Sequence, residues 1–212
     1  MKPVAKERIE PEVAEKWKAR IDLLRRDLCR EQSPTEFSAR LAIDMGEGPD
    51  PIPSYVLFNL PSAVTMRDAW TVGRYAALTG ADVVRLGDDR WPDGNLRYGN
   101  RLVNVEATEA WEPGRRRGDE YMAAHHDPGR RVTSDPIENW IRRADAIGPA
   151  IREAISKKAA RNYAGEAELV IYVAFSEFGI RHEQVVREIR RAIAEHGSRF
   201  RAVRVIWNEQ LY

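Results

Sequence analysis

The sequence predicts a mixed α/β fold, a sheet flanked by helices on both faces and preceded by an N-terminal helical arm. Three observations carry this reading. Two short apolar runs, Leu169 to Phe175 and Ala202 to Trp207, have the continuous hydrophobicity of strands buried on both faces. The pair Gly99-Asn100 separates two strand-like segments in the manner of a tight hairpin turn. Around these lie segments whose apolar residues recur at steps of three and four, the pattern of a helix that buries one face. The chain has 212 residues, 43% hydrophobic and 32% charged, which fits one large core with an accessory arm.

Taken in order, the first 30 residues read as a helix, with Val13, Trp17, Ile21, Leu24 and Leu28 on one stripe. A loop is expected from Ser33 to about Pro53, where Gly46, Gly48, Pro49, Pro51 and Pro53 cluster. It reads as a hinge, so residues 1–53 form an arm and residues 54–212 the core. A helix opened by Thr65 and closed by Gly80 follows. Short strands are expected at Asp82 to Leu86, Asn95 to Tyr98 and Arg101 to Thr108. The stretch from Trp111 to Thr133 reads as irregular. Asp135 and Pro136 are N-cap and first-turn residues of a long helix reaching about Tyr163, which Gly148-Pro149 should kink or split. Gln184 to His196 is an amphipathic helix between the two buried strands.

Composition excludes several classes. Cys29 is the lone cysteine, so no disulfide can form within the chain. No apolar run approaches the roughly 20 residues that cross a bilayer, and residues 1–10 lack the apolar stretch of a signal peptide. The expectation is a cytoplasmic protein with no membrane partner. The formal net charge of +1 argues against a surface that is basic throughout. Charge is nevertheless uneven, with seven arginines against three glutamates from Arg181 to Arg204.

The chemistry centres on the segment from Trp91 to Glu109. Asp93 stands at the mouth of one hairpin strand and Glu106 lies on the next. Alternation along that strand puts Val103, Val105 and Ala107 on one face and Leu102, Asn104, Glu106 and Thr108 on the other. Two carboxylates converging from neighbouring strands make a hard oxygen-ligand site suited to Mg²⁺. On the helix after Pro149, Ile151, Ala154, Ile155 and Ala159 form the apolar stripe, and Lys158 falls within it. A buried ammonium is costly without a carboxylate partner, and Glu106 or Asp93 would supply one. Arg115, Arg116 and Arg117 follow the Glu106 strand closely, in a position to contact a phosphate backbone, and Arg130 and Arg131 would extend that surface. His125-His126-Asp127 offers ligand types in a loop, Asp88-Asp89 reads as turn chemistry, and Asp68 reads as a solvated helix position.

Pro92-Asp93, the short hairpin and Glu106-x-Thr108 together resemble the PD-(D/E)xK nuclease superfamily, whose fold is that of the restriction endonucleases. The order helix, three strands, helix, strand from about Met66 to Phe175 resembles that core as well. The resemblance implies a Mg²⁺-dependent phosphodiesterase acting on DNA or RNA. Asp93 and Glu106 would be its metal ligands, and Thr108 would stand where the superfamily usually carries a lysine. It further implies that Lys158 resembles the lysine that some members carry on this helix instead. The uncharged Thr108 leaves open an inactive relative that binds nucleic acid or a protein. A homodimeric assembly protein, paired through the N-terminal stripe, is the remaining alternative.

Overall fold

The computed structural model describes residues 9–88, 91–127, 137–161, 166–196 and 199–212. The expectations placed on Asp89, Arg130, Arg131, Asp135 and Pro136 lie outside them.

Helix α1 (Pro11–Leu28) buries Trp17, Ile21, Leu24 and Leu28, the stripe set by their spacing. The next segment is more ordered than its prolines and glycines imply. The Glu36 backbone N–H donates to the Ser33 hydroxyl oxygen while the Ser33 backbone N–H donates to the Glu36 carboxylate, a complete capping box that starts helix α2 (Pro34–Ala42). A π-helical turn (Ile43–Glu47) and a short helix α3 (Ser54–Asn59) fill most of the rest. Helix α4 (Val64–Thr79) ends at Gly80, whose φ of 65° is the left-handed cap conformation that glycine adopts without strain. After strands β1 (Val83–Leu86), β2 (Gly94–Tyr98) and β3 (Arg101–Ala110), a helix α5 (Arg117–His126) occupies part of the stretch expected to be irregular. Helix α6 (Ile137–Ala159) runs unbroken through Pro149. The proline removes one backbone donor, but Ile147, Ile151 and Ile155 on either side of it keep one face buried. Strand β4 (Ala167–Val173), helix α7 (His182–His196) and strands β5 (Ala202–Trp207) and β6 (Gln210–Leu211) complete the chain.

The six strands form one mixed sheet in sequential order. β1, β2 and β3 are antiparallel neighbours, β3, β4 and β5 are parallel, and β6 returns antiparallel. Each parallel step needs a crossover, and α6 and α7 supply them. Two apolar layers sandwich the sheet. On one face α1, α2 and α4 bring Trp17, Ile21, Phe37 and Met66 onto Val84, Leu96, Val103 and Val105. On the other, α6 and α7 bring Ile151, Ile155, Val185 and Ile189 onto Leu169, Ile171, Val203 and Val205. The stripe on α1 is therefore covered by the chain's own core, and Gln32 just beyond it forms a β-bridge with Val84. Among the described residues no helix is long and apolar enough to cross a membrane.

Candidate functional site

The last β2–β3 pair is Gly94 opposite Val105, so one step further along the same register Asp93 stands opposite Glu106. Gly94 is required there by contact: a Cβ at this position would lie 2.7 Å from Val72 of α4. Asp93 has passed the end of the ladder, and its carboxylate takes over the ladder's role. The Ala107 backbone N–H donates to Asp93 Oδ2 at 2.9 Å. That bond fixes the aspartate against β3 and satisfies a donor that β2 no longer reaches.

On β3 the alternation follows the sequence pattern, with Val103, Val105 and Ala107 packed in the α4 layer. Glu106 and Thr108 take the opposite face, under α6. Glu106 is 1% exposed, an unusual position for a carboxylate unless it is paired. Its partner is Lys158 of α6, whose Nζ lies 2.6 Å from Glu106 Oε1 and 3.4 Å from Asp93 Oδ2. Burial pulls the Lys158 ammonium toward the neutral form, but the Asp93 charge and the hydrogen bond to Glu106 outweigh it and raise the pKa. Lys158 is thus held charged in a largely buried position. Thr108 lies two residues along the same face, half-buried and in register with Ile171.

Two further carboxylates flank this trio. Asp68 of α4, expected to be a solvated position, is pushed up to about 7, first by burial and then by the negative charge of Asp93, with Lys158 pulling the other way. Glu109 is raised by burial in spite of Arg67 and Arg117 nearby, and Arg67 Nε approaches it at 3.3 Å. Asp68 gave no strong sequence signal: it sits on α4, far along the chain from Asp93 and Lys158, and its surroundings are made by the fold.

The arginine cluster behaves differently from a shared phosphate surface. Arg115 donates through Nε to both carboxylate oxygens of Glu120, at 2.9 and 3.0 Å. Arg117 donates to the Ala174 carbonyl at 2.6 Å and its guanidinium lies 4.7 Å from the Trp111 ring centre. Arg116, just before α5, is exposed. His125 stacks on Tyr55 with ring centres 4.0 Å apart. Asp88 pairs with Arg85 at 2.8 Å, as turn chemistry requires. Cys29 packs its thiol toward the Gly87 carbonyl at 3.6 Å, and burial raises its pKa, so it is a poor nucleophile.

The arrangement offers two hard oxygen donors and one fixed ammonium on a single face of the sheet, with a readily protonated carboxylate beside them. Among the described residues, no group of three or more His, Cys, Asp or Glu side chains is set to hold a metal ion by itself. Comparison with protein-family models, with curated proteins and with solved structures gives no match for this chain.

Proposed function

We propose that the chain is a divalent-metal-dependent phosphodiesterase of nuclease type, with the restriction-endonuclease-like core that the sequence motif resembles. The single observation that carries this is the convergence of Asp93, Glu106 and Lys158, contributed by two strands and a helix, at one buried point. The order α4, β1, β2, β3, α5, α6, β4, with β3 and β4 parallel and α5 added before α6, supports the same reading.

The residues fit a magnesium ion. Their distances to one ammonium keep the nearest Asp93 and Glu106 oxygens within about 6 Å of each other. Magnesium sites of this kind use one or two carboxylates with ligands at about 2.1 Å and are completed by water and substrate phosphate, and two such carboxylates are the donors these residues offer. Such an ion, when bound, lowers the pKa of an attacking water and offsets charge on the phosphate. The chain's own part is positional. Asp93 is locked to the Ala107 amide, Glu106 is buried, and Lys158 places a positive charge where the strand position, Thr108, has none. That charge would orient the water and stabilise the pentavalent phosphorus oxygens.

Cleavage of single- and double-stranded DNA and RNA with Mg²⁺ or Mn²⁺ tests the reading. Wild type is expected to cleave at least one of them. Lys158→Met should lower the rate by about 10² to 10⁴, and Thr108→Lys in the same variant should restore part of it by returning an ammonium to the Glu106 face. Equal cleavage by wild type and Lys158→Met overturns the assignment. A second reading, a non-catalytic binder on the same fold, is favoured by one observation: Lys158 pairs with both carboxylates. It predicts metal-independent nucleic-acid binding with no cleavage by any form.

A further inference from the structure

A groove of about 730 Å³ opens at the C-terminal end of α1, lined by Asp22, Arg25, Arg26, Cys29, Arg30 and Asp88. The charges around it do not cancel. Arg25 donates to the Asp88 carbonyl at 3.1 Å and Arg26 to the Asp22 carbonyl at 3.3 Å, so each meets a neutral backbone oxygen. The Asp88 carboxylate is taken by Arg85 at 2.8 Å. Arg30 approaches Asp27 at only 3.7 Å, and Arg40 holds that carboxylate more closely at 3.1 Å. Among the described residues, three guanidiniums therefore face the groove, with Asp22 as the remaining carboxylate. Placing two of them in the last turn of α1 suits the helix dipole, but that does not account for Arg30 or for the open space between them.

The groove is also tied to the candidate site. Its wall includes Asp88, and Cys29 meets the carbonyl of the adjoining Gly87. The Gly87 N–H donates to the Asp93 carbonyl at 3.1 Å, across the neck of the β1–β2 connection. The two ends of that connection touch so closely that a Cβ on Gly87 would fall 1.9 Å from the Pro92 carbonyl oxygen. One side of this neck carries the Asp93 carboxylate and the other borders the arginines.

We propose that the groove formed by Arg25, Arg26 and Arg30 binds the phosphate backbone of a nucleic acid whose scissile phosphate lies at Asp93 and Glu106. This rests on the nuclease reading and adds to it the track along which the substrate is held. Guanidiniums bound to carbonyls keep donors to spare, and charge-assisted contacts to phosphate oxygens suit them. Arg115 and Arg117 are spent within the chain, and among the described residues Arg25, Arg26 and Arg30 are cations available beside the β1–β2 neck.

The test is binding of a short fluorescein-labelled DNA duplex and its single strand to the full chain in EDTA, where no cleavage occurs, as a function of salt. Replacing Arg25, Arg26 and Arg30 together by alanine should reduce the slope of log affinity against log salt by about two to three units, near 0.9 per lost duplex contact. Arg26→Glu alone, an exposed position bonded to one carbonyl among the described residues, should weaken binding while circular dichroism stays unchanged. In cleavage assays the triple variant should raise KM and spare kcat. Wild-type binding with an unchanged slope in the triple variant overturns this proposal and leaves the nuclease reading standing. No binding of either DNA by wild type at low salt, together with no cleavage, overturns both.

Discussion

Glu106, Asp93 and Lys158 illustrate how a buried charge is tolerated only in company. Lys158 Nζ is 2.6 Å from Glu106, which is almost fully buried, so replacing the lysine removes the cation that offsets the carboxylate's charge there. Removing one partner of a buried pair typically costs about 3 to 5 kcal/mol. Lys158→Met is thus expected to lower stability by about that amount in urea denaturation at pH 7, and the deficit should shrink on acidification as the Glu106 carboxylate takes up a proton. A loss under about 1 kcal/mol would mean the pair is not desolvated. Asp68 gives a pH signature of its own. Its pKa of about 7 in the fold lies above the ordinary value of 3.8, so between these limits the folded state holds a proton that the unfolded state has released. Stability contributed by this group is therefore present below pH 4 and lost as pH rises through 7. Asp68→Asn, measured in EDTA, should flatten that decline and stabilise the chain above pH 7 by up to about 4 kcal/mol; an unchanged pH profile would show that Asp68 stays ionised. The legibility of these two residues differs for a physical reason. Lys158 interrupts an apolar stripe on its own helix, and a mismatch of that kind is local and visible in sequence. The environment of Asp68 is created by Asp93 and Lys158, residues distant in the chain, and no local pattern records it.

The elements were legible wherever one face is strongly apolar and less so elsewhere. α1 and α7 follow from their stripes and α4 from its Gly80 stop, although it begins at Val64 with Ala63 rather than Thr65 as its cap, and the four longest strands lie within a residue or two of their expected bounds. α2 was missed although its signal, Ser33 followed by Pro34 and Glu36, is a complete capping box; the glycines and prolines downstream masked it. α5 has a single buried residue, Met122, so its periodicity is faint; it is held by aromatic contacts such as Phe58 against Tyr121, with ring centres 5.0 Å apart. Pro149 misled in the other direction, because packing on both sides of it outweighs one missing hydrogen bond. The N-terminal stripe is the element with the sharpest consequence. Trp17, Ile21, Leu24 and Leu28 are buried in the same cluster as Met66 and Val84. Leu24→Asp is accordingly expected to unfold the chain or destabilise it by more than about 3 kcal/mol. Light scattering and thermal denaturation would check this; a stable, folded variant that merely changes oligomeric state would show that the stripe serves a second copy.

At the scale of the whole molecule, the sheet brings the chemistry together. Antiparallel β2 and β3 put Asp93 opposite Glu106, and the parallel crossover to β4 carries α6, with Lys158, back over that same face. The α1 arginines reach the opposite side of the β1–β2 neck because α1 packs in the other layer. The sequence pattern anticipated the first of these arrangements, since strand alternation is a local rule. It did not anticipate the second, which depends on how two distant segments pack. The central claim is that Asp93 and Glu106 form one divalent-cation site. Electron paramagnetic resonance titration of the full chain with Mn²⁺ at pH 8, where Asp68 is largely ionised, tests it most directly. One bound Mn²⁺ per chain is expected, lost in both Asp93→Asn and Glu106→Gln while their circular dichroism remains that of wild type. Wild-type protein that binds no Mn²⁺ at millimolar concentration, or binding that survives both substitutions, would contradict it.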